Sequence, residues 1–249
     1  MTQPTYAIGD IHGQIDHLHQ ALELIEADGG QDAKIVFLGD YVDRGPDSRG
    51  VIELLSTGIA AGRNWTALLG NHDRMFKWFL EDTPRHDPHM KVGYHWLHPK
   101  LGGIETLESY GVILNETDRL EQVHKAALAK VPGSHIAFLN SLPTYHLAEP
   151  CLFVHAGIRP GKNLGAQHEN DLVWIRDPFL THTEPFPWLV IHGHTALQHA
   201  THFGNRVDLD GGTGFGRPLH PAVVEGREVQ LLTPSGRQPV PMSPDCVPA

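Results

Sequence analysis

Four apolar residues, Ile35-Val36-Phe37-Leu38, stop at Gly39 and hand directly to Asp40-Tyr41-Val42-Asp43-Arg44-Gly45-Pro46-Asp47-Ser48. The run is short, β-rich and bounded by glycine, so it predicts a buried strand that delivers Asp40 to its carboxyl end. In an open α/β sheet that rim is where ligands collect. A carboxylate placed there needs a positive neighbour, because an uncompensated buried charge is costly enough to make the group take up a proton.

The same plan occurs on either side. Tyr6-Ala7-Ile8 runs into Gly9-Asp10-Ile11-His12-Gly13, and Ile15, Leu18, Leu22 and Ile25 then predict a helix over about 15–27 that Gly29-Gly30 closes. After the central loop, Ser48 is the expected N-cap of a helix to Ala61 with Val51, Ile52, Leu54, Leu55 and Ile59 on its apolar face. Trp65-Thr66-Ala67-Leu68-Leu69 leads into Gly70-Asn71-His72-Asp73, with a third helix expected to begin near Arg74. Three strand–loop–helix units in a row predict a parallel βαβαβ core with right-handed crossovers. Asp10 and His12, two apart, share a face in an extended chain and can grip one ion; alternatively Asp10 caps the helix and His12 is a loop histidine.

Residues 82–130 break the rhythm with Pro84, Pro88, Pro99 and Gly102-Gly103. They read as a mostly helical insertion with irregular stretches beside the cleft. Its histidines, His86, His89, His95, His98 and His124, match no metal-ligand spacing. A short helix is expected over 134–139. Strands are then expected at 151–154, 189–191, 206–209, 222–224 and 228–232, which implies a second sheet and a sandwich with helices outside. One domain over 1–233 and a loosely ordered, proline-rich tail over 234–249 complete the expected organisation.

Lysine and arginine total 19 against 29 acidic residues in 249, a formal charge of −10 that disfavours nucleic acid and anionic membranes as partners. An anionic substrate would need local positive charge, and 19 histidines make a metal the economical source. The first residues lack a signal-peptide pattern, no apolar run approaches membrane-spanning length, and Cys151 and Cys246 suggest no disulfide framework. A cytoplasmic protein is expected. No motif bears on oligomeric state.

His155 follows the strand at 151–154 and His194 the one at 189–191. Five strand-end loops thus offer Asp10, His12, Asp40, Asn71, His155 and His194, the inventory for two divalent ions bridged by one carboxylate. Mixed oxygen and nitrogen donors without thiolate favour Mn²⁺, with Fe and Zn²⁺ as other candidates.

Gly9-Asp10-Ile11-His12-Gly13, Gly39-Asp40-Tyr41-Val42-Asp43-Arg44-Gly45, Gly70-Asn71-His72-Asp73, His155-Ala156-Gly157 and Gly193-His194-Thr195 together resemble the signature of calcineurin-like metallophosphoesterases. More narrowly they resemble the phosphoprotein phosphatase branch, near its small bacterial and phage members. The resemblance spans about Tyr6 to Leu232. It implies an α/β fold, a four-layer α/β/β/α sandwich of two mixed sheets flanked by helices, with a dinuclear metal site at the strand carboxyl ends. One ion would take Asp10, His12 and Asp40; the other would take Asp40, Asn71, His155 and His194. A metal-bridging hydroxide would be the nucleophile and His72 the general acid, oriented by Asp43. Arg44 and Arg176 would clamp phosphate, with Asn71 also contacting substrate. Arg159 could compete for that role or form a surface salt bridge, and His192 is expected behind the metal ligands.

The resemblance points first to a phosphomonoesterase acting on phosphoserine or phosphothreonine in proteins or peptides, and second to a bis(5'-nucleosyl)-tetraphosphatase. Aspartate at Asp73, where protein phosphatases often have glutamate, leans toward the second; the intact Asp43-Arg44-Gly45 leans toward the first. Asp210-Gly211-Gly212-Thr213 departs from the family's usual Asp-Thr-Gly, which leaves the cleft floor open. A metal-bound binding module without catalysis is the third reading, and the full set of ligands, acid and arginines argues against it.

Overall fold

In the computed structural model, which describes residues 3–115 and 117–244, side-chain alternation along the strands sets the layers. The first half contains β1 (Thr5–Ile8), α1 (Ile15–Gly29), β2 (Lys34–Phe37), α2 (Ser48–Ala60), β3 (Trp65–Ala67), α3 (Asn71–Phe79), α4 (Gly103–Ser109), α5 (Leu120–Lys130) and α6 (Gly133–Ser141). The second half contains β4 (Tyr145–Ala148), β5 (Cys151–Val154), α7 (Glu169–Trp174), β6 (Leu189–His192), β7 (Thr201–His202), β8 (Arg206–Asp208), β9 (Ala222–Glu225), β10 (Glu228–Thr233) and β11 (Gly236–Pro239).

Tyr6 and Ile8 of β1 and Phe37 of β2 turn outward into one core with residues of α1 to α6, while Ala7 and Val36 turn inward. There they meet Phe153, Ile191 and Val207 of the other sheet. Leu152, Val154 and Val190 face away again, onto Leu172 of α7 and Phe179. A strand with both faces covered must be apolar at every position, which is why these segments read as continuous hydrophobic runs. The result is four layers: helices, a six-stranded sheet in the order β11-β10-β9-β1-β2-β3, a five-stranded sheet in the order β4-β5-β6-β8-β7, and α7 with its loops.

Both sheets are mixed. β1, β2 and β3 are parallel, as the three strand–loop–helix units require, and β9 returns antiparallel beside β1. In the second sheet β5, β6 and β8 are parallel, with β4 and β7 antiparallel at the edges. The carboxyl ends of β1, β2, β3, β5 and β6 therefore lead into the five motif loops.

Four local expectations are corrected. The third helix starts at Asn71 instead of Arg74. Asp47, not Ser48, caps α2, its carboxylate accepting the Gly50 N–H at 2.7 Å, and Ser48 is buried. The helices of the insertion lie in its second half, since α4 and α5 begin only at Gly103. The tail does not loosen at Pro234: Gly236–Pro239 pairs antiparallel with β10, and Arg237 is tied to Asp28 at 2.7 and 2.9 Å. Cys246 lies outside the described residues, and Cys151 is a buried free thiol.

Candidate active site

His12, Asp40, Asp43, Arg44 and His194 are the non-glycine residues with positive φ among the described residues, between 48° and 75°. All five are candidates named from the sequence. Left-handed backbone disfavours L side chains with a Cβ, so its concentration here marks loops held in shape by their surroundings. Those surroundings are specific: Ile11 and His12 donate their N–H groups to the Asp40 carbonyl at 3.0 and 2.8 Å, tying the first loop to the second. Gly193 is required because a side chain there would collide with the Asp10 carboxylate.

Asp10, His12, Asp40, Asn71, His155 and His194 meet at one buried point. The Asp40 carboxylate lies between two groups, Oδ2 3.6 Å from His12 Nε2 and Oδ1 3.4 Å from His155 Nε2. Asp10 Oδ2 is 4.0 Å from His12 Nε2, and its Oδ1 accepts the His194 N–H at 3.0 Å. The Asn71 amide oxygen is 2.9 Å from His155 Nε2 and 2.8 Å from His194 Nδ1. Two sets of potential metal-holding groups result, both using Asp40: one with His12 and His72, the other with His155 and His194.

The protons on these rings show what the cluster suits. His12 Nδ1 is 2.8 Å from the Val42 carbonyl and His155 Nδ1 is 3.0 Å from the Leu38 carbonyl, so each neutral ring carries its proton there. The His155 Nε2 lone pair then faces the Asp40 carboxylate and the Asn71 amide oxygen, which also only accept, whereas the His12 Nε2 lone pair accepts an Arg44 N–H at 2.6 Å beside Asp40. Acceptors facing acceptors fit a cation between them. The acidic charge agrees: burial, then Asp210 and Asp40, push the Asp10 carboxyl up, while burial and then Asp73 push Asp40 up. Burial, then Arg44, pushes His12 down, and burial lowers His155 to about 3, so the imidazoles are neutral donors.

His72 stands apart in its partners although its ring is 4.8 Å from that of His12. Its Nδ1 is 2.6 Å from Asp43 Oδ2 in a buried pair. Asn71 and His72 both turn into the site because they occupy the first turn of α3. There successive side chains diverge by about 100°, not the half-turn of a strand, so adjacency alone does not separate ligand from non-ligand. The Asp43 carboxylate also accepts from Thr106 Oγ1 at 2.7 Å and from Trp96 Nε1 at 3.0 and 3.1 Å. Burial lifts it to about 7 against the pull of Thr106 and Trp96.

Arg44 lies 2.6 Å from His12 Nε2 through Nη1 and 3.2 Å from His72 Nε2 through Nη2, under Phe215 at 5.0 Å from the ring centroid. Arg176 follows α7 and is exposed; its charge adds a smaller lowering to the one that burial imposes on His155 and His194. Arg159 is instead engaged by Asp171 through two hydrogen bonds of 2.5 and 2.9 Å, the salt-bridge alternative. His192 is buried, 3.0 Å from the Gly193 carbonyl just before His194, and burial holds it near about 3. Among the described residues, none of the insertion histidines joins a metal-holding group.

Some of the site was not foreseen. The Asp73 carboxylate gathers the N–H groups of Asp40, Tyr41 and Gly70 at 2.7, 2.8 and 3.0 Å, joining the second and third loops. Trp96 and Thr106 approach Asp43 from 53 and 63 residues away, a separation with no local signal. Asp208 and Asp210 stand two apart at the end of β8, and both raise the Asp10 pKa; that spacing was the available sign.

A family model for calcineurin-like phosphoesterases matches residues 4–213, and the chain belongs to that family, whose members are phosphoester hydrolases. A symmetrical bis(5'-nucleosyl)-tetraphosphatase of Methylococcus capsulatus is 30% identical over 160 residues, which cover 64% of this chain and 44% of that protein. The chain thus spans less than half the length of that relative. The asymmetrical bis(5'-nucleosyl)-tetraphosphatase PrpE of Halalkalibacterium halodurans is 23% identical across 94% of both chains. Among solved structures, one provisionally described as a diadenosine tetraphosphatase aligns with TM-score 0.64 and 21% identity over 93% of both chains. A cold-active protein tyrosine phosphatase aligns with TM-score 0.61 and 18% identity over 96% of this chain and 79% of that one. At such identities the structural likeness shows a common fold. No helix among the described residues is long and apolar enough to cross a membrane.

Proposed function

We propose that this chain is a metal-dependent phosphomonoester hydrolase whose substrates are phosphoserine and phosphothreonine in proteins or peptides. The observation that carries the reading is the buried His72–Asp43 pair, with 2.6 Å between Nδ1 and Oδ2. A poor leaving group such as a serine alkoxide needs a proton as the P–O bond breaks, whereas the phosphate leaving an anhydride does not. An oriented imidazole beside a metal-holding cluster serves the first chemistry.

Asp10, His12, Asp40, Asn71, His155 and His194 would hold two divalent ions, Mn²⁺ by preference with Fe or Zn²⁺ as alternatives, which supply Lewis acidity and activate water for attack on phosphorus. The guanidinium forks of Arg44 and Arg176 match two phosphate oxygens and hold the ester in line. Burial and then Arg44 lower the His72 pKa; in moving onto the phosphate Arg44 leaves His72 Nε2 and takes the second of these causes with it, so that Nε2 can carry the proton donated to the alkoxide. Asp43 fixes Nδ1–H, so that Nε2 is the atom presented to the leaving group. The cytoplasm is the compartment that the cysteine usage favours.

A second reading is hydrolysis of dinucleoside polyphosphates, supported by the tetraphosphatases among the similar proteins. The test is turnover by Mn²⁺-loaded protein on a phosphoserine peptide beside diadenosine tetraphosphate, with metal-stripped protein as control. The account expects the peptide to be the better substrate by kcat/KM. A preference for the dinucleotide would replace it with the second reading.

A further inference from the structure

The Asp43-Arg44 dipeptide has two consecutive left-handed residues, φ 75° and 70°, neither of them glycine. Such a pair keeps its shape only where the surroundings fix it. One stretch of the insertion supplies much of the fixing, beside Ser48 Oγ, which also accepts the Asp43 N–H at 3.1 Å. Trp96 Nε1 donates to both Asp43 oxygens, and Thr106 Oγ1 donates to Oδ1 while accepting the Asp43 N–H at 2.8 Å. The Arg44 N–H donates to the Gly102 carbonyl at 3.2 Å. Gly102, at φ 91°, lies so close that a Cβ would collide with the Arg44 backbone nitrogen.

The anchor of this stretch is the helix that carries His72. The Trp96 ring stacks on Phe76 at 5.2 Å and 25°, and packs on Phe79 at 4.8 Å, both on α3. One indole therefore touches the scaffold of the histidine with its faces and the carboxylate of the aspartate with its N–H. Thr106 fills Oδ1 and the indole N–H spans both oxygens, which holds the carboxylate with Oδ2 toward His72 Nδ1 at 2.6 Å.

We propose that segment 96–106 is a clamp for the proton-donating end of the site, with Trp96 and Thr106 as positioning residues for Asp43. The inference rests on the phosphomonoester reading and deepens it: the insertion ensures that the enzyme handles leaving groups that must be protonated. Without the indole N–H or the threonine hydroxyl, the Asp43 carboxylate is free to turn about its Cβ–Cγ bond. The imidazole then loses the fixed aim of Nε2, while phosphate binding and metal holding keep their own residues. The alternative, that Trp96 is only a core residue, predicts losses that do not depend on the leaving group.

The experiment uses the full chain loaded with Mn²⁺ and compares Trp96→Phe, Thr106→Val and Thr106→Ser with the unmodified protein. Steady-state kinetics are read on a phosphoserine peptide and on p-nitrophenyl phosphate, whose leaving group needs no proton, and bound Mn²⁺ is measured alongside. Trp96→Phe keeps the stacked ring, and Thr106→Val keeps the shape. Each is expected to lower kcat on the peptide about tenfold, a fraction of what a general acid contributes, and to change kcat on p-nitrophenyl phosphate less than about twofold. KM and Mn²⁺ content should hold, and Thr106→Ser should restore the unmodified ratio. Equal losses on both substrates, or no loss on either, would overturn the clamp. His72→Asn separates the two levels of the account. If it is selective for the peptide and the clamp variants are not, the clamp alone fails; if it is not selective, the reading of His72 as acid fails.

Discussion

Asp73 Oδ2 accepts the backbone N–H of Asp40 at 2.7 Å, across 33 residues of sequence. With Tyr41 and Gly70 as its other donors, this carboxylate joins the loop that supplies the shared aspartate to the helix that supplies Asn71 and His72. The two strand ends are thereby set relative to each other before any ion arrives.

Asp73→Ala leaves three buried N–H groups without an acceptor, each worth about 1–3 kcal/mol when orphaned. The expected result is a fall in stability of roughly 3 kcal/mol or more, together with weaker Mn²⁺ binding, read by denaturant titration and by metal titration of the folded protein. An unchanged unfolding midpoint would show that these N–H groups find other partners.

Asp40 faces both halves of the cluster through its two oxygens. Asp40→Asn removes the charge and turns one oxygen into an N–H₂ donor that cannot bind a cation. Bound Mn²⁺ should fall from two equivalents per chain to one or none, and turnover should fall by at least about a hundredfold. Retention of both ions, measured by elemental analysis after desalting, would contradict the bridge.

Metal-stripped protein should respond to pH with a particular sign. The Asp10 and Asp40 carboxyls are pushed well up by burial, so the folded chain keeps protons that the unfolded chain releases, and stability falls as pH rises through that window. His155 and His192, lowered by burial to about 3, act oppositely: their contribution is lost as pH falls below the unfolded histidine pKa of about 6.5. Above that value only the carboxyl trend remains. Asp43 and Asp73, lifted by burial to about 7, still release protons just above that value, so the melting temperature of stripped protein should fall from about pH 6.5 to about pH 7.5, and bound Mn²⁺, which favours the ionised carboxylates, should flatten the slope. A rise in that interval for stripped protein would be inconsistent with the acidic cluster described.

Arg74 is fully buried, pairs with Asp87 at 2.8 Å, and reaches Asn170 of α7 at 2.7 Å. Asp87 in turn accepts the Trp174 N–H at 3.0 Å, two residues before Arg176. Arg74→Met strands the Asp87 carboxylate, and breaking one half of such a pair costs about 3–5 kcal/mol. The expected outcome is that loss in chemical denaturation, accompanied by a raised KM for phosphoesters as the Arg176 loop shifts.

The loops at the ends of β1, β2, β3, β5 and β6 were legible because each apolar run is short, ends at glycine or histidine, and is buried on both faces. Polar and edge segments were not. β4 has alternating half-exposed residues, β7 is two residues long, and β11, Gly-Arg-Gln-Pro, is stabilised by pairing with β10 and by Arg237 on Asp28 and Glu225, none of which is local. The start of α3 was misplaced because Asn71 and His72 look like loop residues by propensity, yet tertiary contacts hold them in its first turn. In the site, Asp10, His12, Asn71, His155 and His194 lie around Asp40, and His72, read from the sequence as the acid, falls into one of the same groups. The partners of Asp43 escaped notice because Trp96 and Thr106 come from a segment without periodicity.

The most direct test of the account is the kcat of His72→Asn relative to the unmodified protein on a phosphoserine peptide and on p-nitrophenyl phosphate, with bound Mn²⁺ measured in both. The account predicts a loss of about a hundredfold or more on the peptide, a small loss on p-nitrophenyl phosphate, and unchanged metal content. Equal losses on both substrates, or loss of metal with the imidazole, would make His72 something other than the proton donor and contradict the proposed chemistry.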